Sequence, residues 1–139
     1  MKMHQHLVRM LKAFSPGSGT PETGLKPKHV IISAGFNDRS LAQSTLTLNL
    51  KEVVSLALER FKGSKIYLAQ IRFSPNLDET VKDNICHLNK EMEDLASKFH
   101  NVHVIPKLPA RKFSVGKDNI HWTENCANAM IAHYFQHLN

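Results

Sequence analysis

Cysteine is scarce in this sequence, with only Cys86 and Cys126 present. Two cysteines are too few for a disulfide framework, so we expect a reducing compartment, the cytoplasm or the nucleus. No apolar run approaches the roughly 20 residues that a membrane-spanning helix needs. The opening Met-Lys-Met-His-Gln-His also lacks an apolar stretch followed by a small-residue cleavage site. We therefore expect neither a secretory signal nor a membrane partner.

The composition is that of a folded domain with an uneven charge. Apolar residues make up 42% and charged residues 22% of the 139 residues, which excludes a wholly disordered chain and favours one domain. The net charge of +6 is concentrated in residues 1–30 and 107–117, while residues 31–106 are balanced. These basic segments predict either a weak contact with nucleic acid, through 107–117, or simply a solvated loop and tail.

The first 24 residues differ in pattern from the rest. Apolar residues from Met3 to Phe14 recur at helical spacing, and 15–21 is a run of serine, proline and glycine that is typical of a linker. We predict a short amphipathic helix and linker over 1–24, followed by a single domain over 25–139.

Beyond residue 25, strand-like and helical patterns alternate. Buried strands are predicted at 29–34, 65–71 and 102–105, and helices are predicted at 43–61 and 77–99. A last helix begins after Thr123, and its predicted inward residues are Ala127, Met130, Ile131, Tyr134, Phe135 and Leu138. This alternation predicts an α/β fold of three layers, with a parallel sheet of about three strands flanked by helices in a flavodoxin-like arrangement.

Gly35-Phe36-Asn37-Asp38 follows the first predicted strand directly. Sites in open parallel sheets form at the carboxyl ends of the strands. A glycine lets the backbone turn and expose its N–H, and the Asn37 amide supplies a second donor, so the pair could form an oxyanion hole. The alternative is that Asn37 and Asp38 only cap a turn.

Asp118-Asn119-Ile120-His121 stands just before the last helix. A carboxylate three residues ahead of a histidine can accept the Nδ1 hydrogen and leave Nε2 free as a general base. The alternative is an ordinary surface turn.

Taken together and in this order, the two motifs resemble the SGNH (GDSL-type) hydrolase family. The stretch HVIISAGFNDRS is similar to that family's third block, and DNIHWTENCANAMIAHYF is similar to its fifth. A similarity to SGNH-like domains of retroelement-derived proteins is also visible. The resemblance implies that Gly35 and Asn37 are oxyanion donors, that His121 is the base and Asp118 its partner, and that the substrate is a small acyl ester. It implies no metal and no cofactor.

The family's nucleophile motif is missing. No Gly-Asp-Ser occurs, no strand-like run precedes residue 29, and Ser15 and Ser18 lie in the linker-like stretch. We therefore predict a truncated, inactive or weakly active hydrolase-like domain, or alternatively a basic nucleic-acid-binding or oligomerisation module. Without the family's first strand, the strand at 29–34 is left at an open edge, which predicts self-association or cover by the N-terminal helix.

Two other chemistries are weaker. His133 and His137 are four residues apart, but the intervening residues lack the glutamate of a catalytic zinc helix, so no metal is predicted. Cys126 is predicted to be a small core residue, and a pairing with His121 as a nucleophile is the alternative.

Overall fold

A computed structural model of the chain describes residues 8–9 and 27–139. Most of the predicted N-terminal helix and linker, and the boundary at residue 25, therefore lie outside the described residues. Val8 and Arg9 are helical, and Val8 packs against the main hydrophobic core.

Three strands and three α-helices alternate along the described chain. The strands are β1 (His29–Ile32), β2 (Lys65–Ala69) and β3 (Val102–Ile105). The helices are α1 (Gln43–Arg60), α2 (Glu79–Lys98) and α3 (Glu124–Gln136). Short 3₁₀ turns cover Phe36–Asp38 and Ala110–Lys112. Every strand and α-helix predicted beyond residue 25 is present, although the first two strands are shorter than the apolar patterns that predicted them.

The strands form one parallel sheet in the order β1-β2-β3. Val30 pairs with Ile66 in the first ladder, and Ile66 pairs with Val102 in the second. This confirms the predicted parallel α/β sheet. Among the described residues, β1 lies at an edge of the sheet with a partner on one side only.

Helices cover both faces of the sheet, as a three-layer fold requires. On one face, α1 and α2 pack over Ile66 and Leu68 and form the main core. On the other face, Tyr67 and Ala69 pack with residues from the end of the chain, Tyr134 and Leu138. Because successive strand residues point to opposite faces, β2 is buried by both helical layers.

Side-chain caps mark the start of two helices. Asp78 accepts a hydrogen bond from the Thr80 N–H at α2, and Thr123 accepts one from the Cys126 N–H at α3. Thr123 was predicted for that role, and the structure confirms it. In each case a side-chain oxygen accepts a hydrogen bond from an N–H group that the helix leaves unpaired in its first turn.

The predicted inward face of α3 is partly wrong. Ile131 and Phe135 are 55% and 68% exposed, whereas Cys126, Met130 and His133 are buried. The three buried residues are spaced four and three positions apart and so lie on one face of the helix. The polar residue His133 is on this buried face, whereas the apolar Ile131 and Phe135 are on the exposed face. The burial of Cys126 against Leu108 and Met130 confirms its prediction as a core residue.

No helix within the described residues is both long enough and apolar enough to cross a membrane.

Candidate active site at the carboxyl end of the sheet

The glycine after β1 has a backbone that other residues rarely adopt. Gly35 has φ of 112°, in the left-handed region that favours glycine. A Cβ at this position would lie 2.5 Å from Cδ2 of Leu88, a buried residue of α2. Both the dihedral angle and the packing therefore require glycine, and the chain turns sharply at the carboxyl end of the strand.

The turn that follows presents two free hydrogen-bond donors. Phe36–Asp38 forms a single 3₁₀ turn, and Asn37 is exposed within it. Within residues 27–139, neither the Gly35 N–H nor the Asn37 amide has a hydrogen-bond partner. Two unoccupied donors at the carboxyl end of a strand are what an oxyanion hole would use.

Asp38 faces inward from the same turn. Its side chain is 3% exposed, and Oδ1 is buried without a hydrogen-bond partner. A cavity of about 40 Å³ adjoins the turn, lined by Gly35, Asp38 and mostly apolar residues of α1 and α2. Arg39 does not pair with this carboxylate. Its guanidinium lies 4.4 Å above the Phe36 ring and donates to the Phe36 carbonyl oxygen.

The second motif forms a direct histidine–carboxylate pair. His121 Nδ1 lies 2.5 Å from Asp118 Oδ2, and the other carboxylate oxygen accepts hydrogen bonds from the backbone N–H groups of Ile120 and His121. With Nδ1 as the donor to Asp118, Nε2 carries the lone pair. Nε2 has no partner in the described part of the chain, so it is available as a base.

The hydrogen bond from His121 also changes the acidity of its partner. It is the largest cause of the lowering of the Asp118 pKa from 3.8 to about 2, and the two backbone N–H groups contribute to the same lowering. Asp118 therefore stays ionised at any neutral pH and holds the imidazole in one tautomer. The pair lies in solvent, because the side chains of His121 and Asp118 are 86% and 45% exposed.

Short antiparallel contacts hold the loop that carries this pair. Val115 and Trp122 form an isolated bridge, and the Gly116 N–H donates to the His121 carbonyl oxygen at 2.9 Å. Next to the bridge, the hydroxyl groups of Ser114 and Thr123 share a hydrogen bond. These contacts close residues 114–123 into a hairpin-like loop, which we call the dyad loop.

The segment after β2 forms the middle of this edge. Asn89 of α2 makes two hydrogen bonds to the backbone of Ile71. Its Oδ1 accepts from the Ile71 N–H at 2.8 Å, and its Nδ2 group donates to the Ile71 carbonyl oxygen at 2.9 Å. Further along the segment, Asn76 Nδ2 lies 3.5 Å from Asn119 Oδ1, which joins it to the dyad loop. The sequence did not predict these asparagines, since nothing in their local pattern separates them from surface residues.

The structure brings Asp118 and His121 into hydrogen-bond contact with each other. No hydrogen bond among the described residues joins Gly35 or Asn37 to the dyad. Both groups lie in segments that follow the carboxyl ends of strands of the same sheet. Within residues 27–139 no hydroxyl contacts Nε2 of His121, and the weak candidates Ser15 and Ser18 lie outside the described residues.

A second polar pair occurs at this edge and was not predicted. Ser33, just past β1, has its Oγ 2.5 Å from the Tyr134 hydroxyl oxygen of α3. Burial raises the pKa of Tyr134, and the hydrogen bond from Ser33 opposes that rise. The two residues are 101 positions apart, so only the fold reveals the contact.

His133 of α3 and His137, which follows the helix, are not part of a metal-binding cluster among the described residues. His133 is buried and its Nε2 lies 2.6 Å from the Pro106 carbonyl oxygen, to which it donates. The ring of His137 meets that of His133 edge-on at 4.6 Å. Across the described residues, no group of three or more histidine, cysteine or acidic side chains could hold a metal ion.

Comparison with known structures supports the α/β fold. A crystal structure of a GDSL-like lipase from Bacteroides thetaiotaomicron is similar, with a TM-score of 0.68 and 18% sequence identity. The similarity covers 98% of this chain and 70% of the lipase. No family model and no curated protein matches the sequence. At this identity the likeness establishes the fold and leaves the activity open.

Proposed function

We propose that this chain is an SGNH-hydrolase-like domain related to acyl esterases that is inactive or weakly active by itself. The dyad carries the proposal, because Asp118 orients His121 by a 2.5 Å hydrogen bond and leaves Nε2 without a partner in the described chain. Gly35 and Asn37 supply two free donors at the same end of the sheet. The lipase-like fold supports this arrangement.

In the proposed site each group has a defined role. His121 takes a proton from the attacking nucleophile and returns it to the alcohol oxygen that leaves when the acyl C–O bond breaks. Asp118 stabilises the imidazolium that forms in between, and Gly35 and Asn37 hydrogen-bond the oxyanion of a small acyl ester. Since the sequence contains no Gly-Asp-Ser, water replaces serine as the attacking group. A serine triad that loses one member still accelerates hydrolysis by about 10³–10⁴-fold over water, so weak turnover is expected.

The test combines residual hydrolysis with active-site labelling. Wild-type protein should hydrolyse para-nitrophenyl acetate slowly, and His121→Ala should reduce that rate about tenfold or more, since general-base catalysis contributes at least about 10²-fold where it operates. A fluorophosphonate probe should label no serine, as read by peptide mass spectrometry.

His100→Ala is the matched control, because His100 is also exposed but follows the far end of α2. Equal rates for wild type, His121→Ala and His100→Ala would overturn the role of His121. Labelling of one serine that disappears in His121→Ala would show a nucleophile within the chain and contradict the weak-activity proposal.

Two observations favour a second, non-catalytic candidate. The basic residues of 107–117 are exposed and could bind nucleic acid weakly, and β1 leaves an edge of the described sheet unpaired. An electrostatic nucleic-acid contact loses affinity steeply as salt rises, whereas ester turnover does not. An oligomer formed through the edge of β1 would appear as a concentration-dependent mass in sedimentation, since an unpaired strand is a template for another chain.

A further inference from the structure

Four cationic side chains stand on the segment that leads from β3 to the dyad. We call them the cationic rim, and they are Lys107, Arg111, Lys112 and Lys117. All four residues are exposed, and none forms an ion pair with another described residue. No acidic residue lies between positions 107 and 117. Four unneutralised charges of one sign therefore face solvent together.

The segment beneath the cationic rim is held in place by buried contacts. Leu108 is fully buried and packs with Phe113 and Met130, and its carbonyl oxygen accepts a 2.8 Å hydrogen bond from Arg72 Nε. The 3₁₀ turn over Ala110–Lys112 lies between Leu108 and Phe113 in the sequence. The charges are thus presented by ordered backbone, unlike those of a solvated tail.

Backbone contacts also place Lys117, one member of the cationic rim, beside the dyad. Lys117 is the immediate neighbour of Asp118, and the preceding Gly116 donates its N–H to the His121 carbonyl oxygen. Asp118 offsets only one of the four positive charges, so residues 107–118 keep a net charge of +3. A molecule that approaches His121 therefore meets a positive field.

We propose that the cationic rim selects a substrate that carries a negative charge beside its ester, such as a carboxylate. The proposal rests on the proposed function and names the substrate class of the same site. A neutral acyl ester carries no charge that the cationic rim could attract, whereas an anionic ester is both attracted to the rim and oriented by it. Nucleic acid would use the same charges, but the rim adjoins a histidine–carboxylate pair, which favours a small reacting anion.

Two matched esters test the proposal. The ratio of kcat/KM for the mono-para-nitrophenyl ester of adipate to that for para-nitrophenyl hexanoate reports the effect of one carboxylate. We expect the triple variant Arg111→Gln, Lys112→Gln, Lys117→Gln to lower this ratio about tenfold at low salt, and roughly 1 M salt to abolish the difference from wild type.

The matched control removes three cations elsewhere, Lys51→Gln, Lys62→Gln and Lys98→Gln, all of them exposed. It should change the ratio less than about twofold, because Lys51 lies on α1, Lys62 follows α1 and Lys98 ends α2, so none of them is on the segment that carries the cationic rim and the dyad loop. An equal loss in both triple variants, or an unchanged ratio in the rim variant, would overturn the proposal.

A binding measurement separates this proposal from the hydrolase function. Succinate, but not its neutral diamide, should shift the NMR signals of the His121 ring in wild type, and the rim variant should lose this response. If neither ester is hydrolysed but the succinate response holds, the hydrolase function fails and anion recognition stands. No response to succinate, with tight binding of a single-stranded oligonucleotide, would refute the small-anion proposal in favour of nucleic acid.

Discussion

The two halves of the candidate site are built in different ways. The turn after β1 depends on the core, since Gly35 fits against Leu88 and Asp38 is buried. The dyad loop depends on its own short-range hydrogen bonds, and His121 is almost wholly in solvent. Changes in the turn should therefore affect the stability of the whole domain, whereas changes in the dyad loop should affect local chemistry.

The largest effect is expected from Gly35→Ala. The added Cβ would meet Leu88 at 2.5 Å on a backbone with φ of 112°. Left-handed strain and overpacking together should lower the free energy of unfolding by about 2–4 kcal/mol, as measured by urea denaturation.

Gly63→Ala is the control for this substitution. Gly63 also has a positive φ, of 86°, but nothing lies within 4 Å of an added Cβ. Backbone strain alone should cost about 1–2 kcal/mol there. Equal losses for the two variants would mean that the contact with Leu88 has no weight, and the contrast between the two halves would weaken.

A smaller effect separates the dyad from the core. His121→Ala should raise the pKa of Asp118 from about 2 towards 3.8, since the side-chain hydrogen bond is the largest cause of the lowered value. A folded-state pKa below the unfolded value stabilises the fold above the unfolded pKa, and this stabilisation is lost as pH falls through the folded pKa. The stability of wild type should thus fall between about pH 4 and pH 2 more steeply than that of the variant.

Carboxyl NMR titration measures this pKa directly, and urea denaturation at several pH values measures the linked stability. His100→Ala should leave both unchanged. An Asp118 pKa that stays near 2 in His121→Ala would assign the shift to the backbone N–H groups instead.

The smallest expected effect is on the pKa of Tyr134, which hydrogen-bonds to Ser33. Ser33→Ala removes the hydrogen bond that opposes the burial-induced rise in the pKa of Tyr134, so that pKa should rise further. Ultraviolet titration should show the Tyr134 transition moving to higher pH in the variant. An unchanged titration would indicate that the contact does not persist in solution.

Sequence patterns predicted most of this fold because each element carries its own signal. The stripe from Val81 to Leu95 predicts α2, and the alternation of such helices with short apolar runs predicts a parallel sheet. The dyad was predictable for the same reason, since Asp118 and His121 are only three residues apart and their contact is local.

What could not be predicted depends on contacts distant in sequence. The burial of Asp38 and the exposure of Phe135 follow from which surface each element packs against, and hydrophobicity alone carries no such information. The link between Ser33 and Tyr134 likewise arises only when α3 lies against the sheet.

The amide of Asn89 makes the middle of the site depend on one chemical group. It satisfies both the N–H and the carbonyl oxygen of Ile71, as a neighbouring strand would, although it belongs to a helix. Replacing Asn89 with aspartate would exchange its NH₂ group for an oxygen, which would then face the Ile71 carbonyl oxygen, a second acceptor, in a buried position. The carboxyl edge of the sheet can therefore vary in the charges it displays to solvent, but it tolerates little change in the amide that supports it from below.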